Sequence, residues 1–314
     1  MDLPSGSPPH EPLAYLNGEF VPLRAARLPV WDFGVVQAVT VTEALRTFGH
    51  TPFRLDDHLE RLAFSLRSID VTPRESLDQI RHLVIELTKF NAAAMDDRAD
   101  LVINLFVTAG ESEAFSAGMA VNPGRPTVCI TTRPLETRAA ALHYREGLSL
   151  AIPAVRQIPA SIIDPRIKYR SRLHWFLADH EVRRSRPEAE ALLLDLDGFV
   201  TETARGNIFA LFGETLTTPS ELTTLGGISQ RVVFELCPSL GLRVERRNIT
   251  PSQLAQADEV LLSSTSACLV PVTQVDGVPI GSGRPGMRWR QLIAAWSTQV
   301  GVDIVSQASL QSSS

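Results

Sequence analysis

Lysine is almost absent from this sequence: of 30 basic residues, only Lys89 and Lys168 are lysine. Arginine stays protonated and cannot condense with a carbonyl, whereas a lysine amine can lose its proton and form an imine. Lys168 lies in Asp164-Pro165-Arg166-Ile167-Lys168-Tyr169-Arg170. Arg166, Arg170 and Arg172 would lower its pKa by like-charge repulsion, favouring the nucleophilic amine. Position alone is equally compatible with one more surface cation. Lys89 falls in the last turn of a helical pattern, where a cation complements the macrodipole, so it reads as a capping charge.

Other residues could serve a carbonyl cofactor held at such a lysine. Glu202 follows the tight turn Asp197-Gly198 and precedes Thr203-Ala204-Arg205-Gly206-Asn207. A carboxylate beside a glycine-bearing loop can approach a planar ring, although alone it reads more simply as a solvated strand-end acid. Gly226-Gly227-Ile228-Ser229 leads into a helical pattern; small residues before a helix N-terminus make an anion site. Ser229 as a plain N-cap is the commoner use of that pattern. Ser263-Ser264-Thr265-Ser266 follows a strand and offers hydroxyl and backbone donors, and Arg61 could add a bidentate cation. Lysine, carboxylate and anion donors together are what pyridoxal phosphate demands of a protein.

The elements that must position these residues alternate along the chain. Tyr15 to Val21 reads as a hairpin turning at Asn17-Gly18, and Val39 to Phe48 with Phe53-Arg54 as another turning at Gly49-His50. Asp56 to Ile69 has helical spacing, and Thr72-Pro73-Arg74-Glu75 reads as the start of a helix running to about Phe90. Leu101 to Thr108 and Thr127 to Thr132 read as buried strands, and Arg133 to Tyr144 as a linker. Beyond it come strands at Leu148 to Ile152, Ala191 to Leu196, Val200, Ile208 to Phe212, Arg243 to Arg246 and Glu259 to Leu262. Helices are expected over Leu173 to Arg184, Ser229 to Leu236, from the capping box Thr250-Pro251-Ser252-Gln253, and over Arg288 to Trp296. The pattern predicts an α+β protein: an arm over 1–12, a small domain over 13–134, a larger one over 135–304 and a flexible tail over 305–314.

Composition excludes several classes. The chain has 314 residues, 44% of them hydrophobic, and a net charge of −5, with no basic stripe for nucleic acid. No apolar run is long enough to span a bilayer, and Met1 to Glu11 lacks a signal peptide's apolar region. Cys129, Cys237 and Cys268 lack CxxC spacing and read as reduced thiols, so neither a disulfide framework nor a metal site is expected. A cytoplasmic protein is the expectation.

In this order and spacing, the motifs resemble the class IV (fold-type IV) aminotransferases. That family includes branched-chain and D-amino-acid aminotransferases and aminodeoxychorismate lyase. The likeness runs through Tyr15-Leu16-Asn17-Gly18-Glu19, His58-Leu59-Glu60-Arg61-Leu62, Ile167-Lys168, Glu202 with Asn207-Ile208-Phe209, Gly227-Ile228-Ser229, and Thr265 leading to Pro271-Val272. The 34-residue step from Lys168 to Glu202 matches the family's. The resemblance implies a two-domain D-amino-acid aminotransferase-like fold, usually a homodimer, holding pyridoxal 5'-phosphate. It implies that Lys168 forms the Schiff base and moves the substrate proton, and that Glu202 pairs with the pyridinium nitrogen. Arg61, Gly227, Ile228, Ser229, Thr265 and Ser266 would bind the phosphate, and Asn207 would accompany Glu202.

Substrate residues depart from the family. Gln37-Ala38 stands where Tyr-Gly is usual, Asn104 and Ala109 where substrate arginines fall, Leu173 in place of a tyrosine, and Gln230 in place of a phosphate-loop arginine, with Arg231 next. Arg170, Arg172 and His174 are candidate replacements, equally readable as a solvent-facing basic helix start. The expected activity is transamination between an amino acid, with branched-chain donors among the candidates, and a 2-oxo acid. Elimination from aminodeoxychorismate is a second reading, and a cofactor-binding protein without turnover a third.

Overall fold

A computed structural model describes residues 11–93, 95–96 and 99–311. The expected arm lies outside the described residues up to residue 10. The chain divides into two compact units: one runs through Leu135 and includes Ile167–Ser171, and the other comprises Glu136–Arg166 and the chain from Arg172 onward. The lysine segment therefore counts with the first unit, an arrangement that a single cut at 134/135 does not express.

The first unit is built on β1 (Leu13–Leu16), β2 (Glu19–Pro22), β3 (Thr40–Phe48), β4 (Thr51–Pro52), β5 (Leu101–Thr108) and β6 (Val128–Pro134). They form one sheet in the order β2-β1-β6-β5-β3-β4, every pairing antiparallel. Both hairpin turns take the positive φ values that a two-residue primed turn requires: 51° and 101° at Asn17-Gly18, 54° and 61° at Gly49-His50. Helices α2 (Leu55–Ser68) and α3 (Leu77–Ala92) cover one sheet face, after the short α1 (Phe33–Val36). Leu59, Leu62, Leu66, Ile80, Val84 and Leu87 pack there against Val41, Leu45, Ile103, Leu105 and Ile130. Helix α3 starts at Ser76 rather than Thr72: Ser76 and Gln79 form a reciprocal capping box that satisfies two backbone donors together.

The second unit opens on α4 (Arg138–Glu146), a helix that takes up the second half of the expected linker and runs two residues past it, with Ala140 and Tyr144 buried on its inner side. Then follow β7 (Leu148–Ala151), α5 (Leu173–Ser185), β8 (Ala189–Leu194), β9 (Val200–Thr203), β10 (Gly206–Phe212), β11 (Thr215–Thr218), α6 (Ile228–Leu236) and β12 (Arg243–Arg246). After them come α7 (Pro251–Leu254), β13 (Glu259–Ser264), β14 (Cys268–Val275), β15 (Val278–Pro279), α8 (Met287–Val300) and α9 (Ile304–Gln311). The strands run β12-β11-β10-β13-β14-β7-β8-β9, and β9 pairs again with β10 through Glu202 and Asn207. Six strands, β10 to β9 along that path, thus close into a ring whose seam is the Glu202–Asn207 pair. Helix α9 replaces most of the expected flexible tail: Asp303 caps it by accepting the Ser306 N–H, and Ile304 and Ala308 are buried on one side. No helix among the described residues is long and apolar enough to cross a membrane.

Candidate functional site

Within the first unit, the lysine segment extends the edge of β3. Val41 bridges Tyr169 in antiparallel fashion, Thr42 N donates to Lys168 O at 2.9 Å, and Arg170 N donates to Thr40 O at 2.9 Å. Lys168 N donates to Ser65 Oγ of α2 at 3.1 Å, and Ile167 packs against the unit's core. Both backbone polar groups of Lys168 are therefore fixed, so the amine projects from a rigid anchor.

Beside this segment, Glu43 occupies an inward position on β3 between Val41 and Leu45 and is fully buried. It accepts from Arg61 Nε and Nη2 at 2.8 and 2.7 Å and meets His58 Nδ1 at 2.7 Å. Burial pushes the Glu43 carboxyl up, but Arg61 and His58 outweigh it and hold it at about 2. Burial dominates at His58 and lowers its pKa, with nearby Lys168 contributing in the same sense. A neutral His58, an ionised Glu43 and Arg61 make a balanced cluster that fixes the guanidinium's direction. Sequence reading had named Arg61 but not Glu43. A charged residue at an inward position of an alternating strand was the available signal.

The opposite sheet face carries substrate candidates. Asn104 stands across from Ala44 and Thr131, and Phe106 from Thr42 and Cys129. The Arg170 guanidinium lies over the Phe106 ring, 5.1 Å from its centroid. Arg170 and Asn104 thus come to one face. Burial pushes the Cys129 thiol up to about 11 despite Arg170. Gln37 ends α1 and is exposed; buried Asp32 secures that loop by accepting from Gly34 N, Thr108 Oγ1 and Thr127 Oγ1.

In the second unit, Glu202 is 9% exposed and accepts at both carboxylate oxygens. Asn207 Nδ2 donates to Oε2 at 3.2 Å, Gln157 Nε2 to Oε1 at 3.1 Å, and Leu225 N reaches both oxygens at 3.3 Å. Sequence reading missed Gln157, which sits in an irregular segment without periodicity. Gly227 leaves room for this arrangement: a Cβ there would lie 2.0 Å from Asn207 Oδ1. Gly227 is the N-cap of α6 with no side-chain cap, so the first-turn N–H groups at Ile228 and Ser229 lack helical partners. Gln230 is buried and donates to Thr218 Oγ1, while Arg231 faces outward.

Ser263 stands directly across from Asn207 in the β10–β13 register, and its buried hydroxyl has no hydrogen-bond partner among the described residues. Thr265 and Ser266 lie in the turn that follows, held by Tyr144 Oη donating to Ala267 O at 2.7 Å. Arg172 donates to the Ala204 carbonyl, which ties it to the β9–β10 turn. His174 is lowered to about 4 by burial and by Arg172.

A cavity of about 810 Å³ in the first unit is lined by His50, Arg54, Arg81 and Lys89. Its cations are matched by acids: Arg54 by Asp57, Arg81 by Asp56 and Lys89 by Glu86. No group of three or more His, Cys, Asp or Glu among the described residues could hold a metal.

An acid anchored at a sheet seam, a helix N-terminus behind paired glycines and a lysine fixed through its backbone are each of a type that pyridoxal phosphate demands of a protein. The family model for amino-transferase class IV matches residues 40–275, and the chain belongs to that family. It is 29% identical over 278 residues to a D-alanine aminotransferase of Bacillus licheniformis, covering 86% of this chain and 90% of that one. It is 28% identical over 271 residues to an aminodeoxychorismate lyase of Bacillus subtilis, covering 86% and 89%. The branched-chain amino acid aminotransferase of Thermobaculum terrenum, solved in its PLP form, superposes with a TM-score of 0.81 at 26% identity, covering 96% of this chain and 97% of that one. Pyridoxal phosphate is the cofactor, and the donor set described above suits it.

Proposed function

We propose that the chain is an aminotransferase exchanging an amino group between an amino acid and a 2-oxo acid, with Lys168 as its imine-forming residue. The observation that carries this reading is the fixing of Glu202 at both oxygens by three N–H donors. Such an acid can keep a ring nitrogen protonated. Bound pyridoxal phosphate supplies an electron sink for electrons released at the substrate Cα. With the cofactor bound, Lys168 Nζ would be the base that holds and moves the proton leaving the substrate Cα.

Arg61, directed by Glu43, supplies a cation to the phosphate. The N–H groups of Ile228 and Ser229, the Ser229 hydroxyl, Thr265 and Ser266 supply its other donors, and Gly227 keeps the approach open. Asn207 holds Glu202. Arg170, with Asn104 and Gln37, receives the substrate, while Arg172 secures the β9–β10 turn. We assign the active form to a cytoplasmic homodimer.

The amino donor is proposed only as an amino acid, with branched-chain donors the first to try. Lyase activity is the second reading, favoured by the similarity to an aminodeoxychorismate lyase.

Protein mixed with pyridoxal phosphate should turn yellow, and borohydride should abolish the visible band while labelling Lys168. Lys168→Ala should lack both band and label; a wild-type protein that stays colourless overturns the reading. Amino acids that bleach the band to the pyridoxamine form mark transamination. Pyruvate released from aminodeoxychorismate without an acceptor marks the lyase.

A further inference from the structure

Resting on that reading, we propose that Gln157 is a positioning residue for Glu202, its amide locked with the N–H side toward the carboxylate. Arg156 bridges Leu194 of β8, and Gln157 N donates to Leu194 O at 2.9 Å, so the backbone is fixed where the side chain leaves it. The side chain is 7% exposed. A carboxamide has two faces: turned one way it donates, turned the other it sets oxygen against oxygen. Here the choice is made by Ile158, whose N–H donates to Gln157 Oε1 at 3.1 Å and leaves Nε2 to face Glu202 Oε1. Asn207 is fixed the same way, because its Nδ2 also donates to Leu225 O at 2.8 Å.

The three donors come from separate stretches of chain. Asn207 holds the acid from β10 and Leu225 from the loop before α6. Gln157 holds it from the segment after β7. An amide carries no net charge, so it restrains the carboxylate without cancelling the negative charge that a protonated ring nitrogen needs. Fixed dipoles of this kind are in place before the reaction and need no reorganisation during it.

The test uses full-length protein loaded with pyridoxal phosphate, comparing wild type with Gln157→Leu and Gln157→Glu. The measurements are the melting temperature without cofactor, the pH midpoint of the visible band, and kcat and KM for a donor that wild type turns over. Gln157→Leu should move the band's midpoint and lower kcat about 10- to 100-fold, the scale of one hydrogen bond to a charged group, with KM changed far less. Gln157→Glu keeps the shape but opposes two carboxylates, so it should move the midpoint further, and it serves if the leucine variant does not fold. Variants with wild-type midpoint and kcat overturn the inference, even if the melting temperature falls. A wild-type protein without a Lys168-dependent band overturns the underlying reading instead.

Discussion

Glu43 shows what one residue can commit a strand to. It is a fully buried carboxylate on the inward side of β3, and two side chains of α2 converge on it. Removing one member of a buried charged cluster leaves the others uncompensated, which costs about 3–5 kcal/mol. Glu43→Gln should therefore lower unfolding free energy by about that amount in urea titrations, and it should weaken pyridoxal phosphate binding by releasing Arg61. The histidines give a pH signature. His58, His143 and His174 all have lowered pKa values in the folded state, chiefly through burial. As pH falls below the unfolded value of about 6.5, the unfolded chain takes up protons that the folded chain refuses, so stability drops. Glu43 adds stability present above the ordinary carboxylate range and lost as pH falls toward about 2. Melting temperature should fall between about pH 7 and pH 5, and His174→Asn should flatten that fall. Lys168 and Glu202 are candidates from the sequence through the resemblance to the family, whose lysine-to-glutamate step they match; taken singly, each reads as well as a surface charge. Gln157 was not legible there, since its partner lies 45 residues away and an irregular segment gives no period to read.

At the scale of elements, legibility followed local determinants. Hairpins at Asn17-Gly18 and Gly49-His50, and the capping box at Thr250 and Gln253, are written in adjacent residues and formed as read. The start of α3 was misread because Thr72-Pro73 mimics a helix start, while Ser76 and Gln79 bind reciprocally. Helices α4 and α9 were read as linker and tail; what orders them includes a tertiary contact, Thr137 Oγ1 donating to Ala308 O at 3.2 Å. The pairing of β10 with β13 is closer than any side chain allows at Gly206, where a Cβ would lie 1.8 Å from Ser263 O. Gly206→Ala must push the two strands apart, at a cost of about 1–3 kcal/mol. Denaturant unfolding should register that loss, and pyridoxal phosphate affinity should fall with it, because the displaced strand carries Asn207.

At the scale of the whole molecule, α+β character and a two-part organisation were readable from the alternation of periods. The ring closure at Glu202–Asn207 was not, since strand order depends on pairings between distant segments. The placement of Ile167–Ser171 was equally hidden: five residues cut from the middle of the second stretch complete the first unit's sheet. That makes the two units inseparable by a single cut in the gene. A fragment ending at Leu135 would leave the Thr40–Thr42 edge of β3 unpaired, and exposed edges recruit other strands. Such a fragment should self-associate on size-exclusion chromatography. A synthetic peptide spanning the lysine segment should return it to a monomer, whereas a scrambled peptide should not. The residue proposed for chemistry would then double as the missing piece of a complementation assay, its docking measurable without substrate or cofactor.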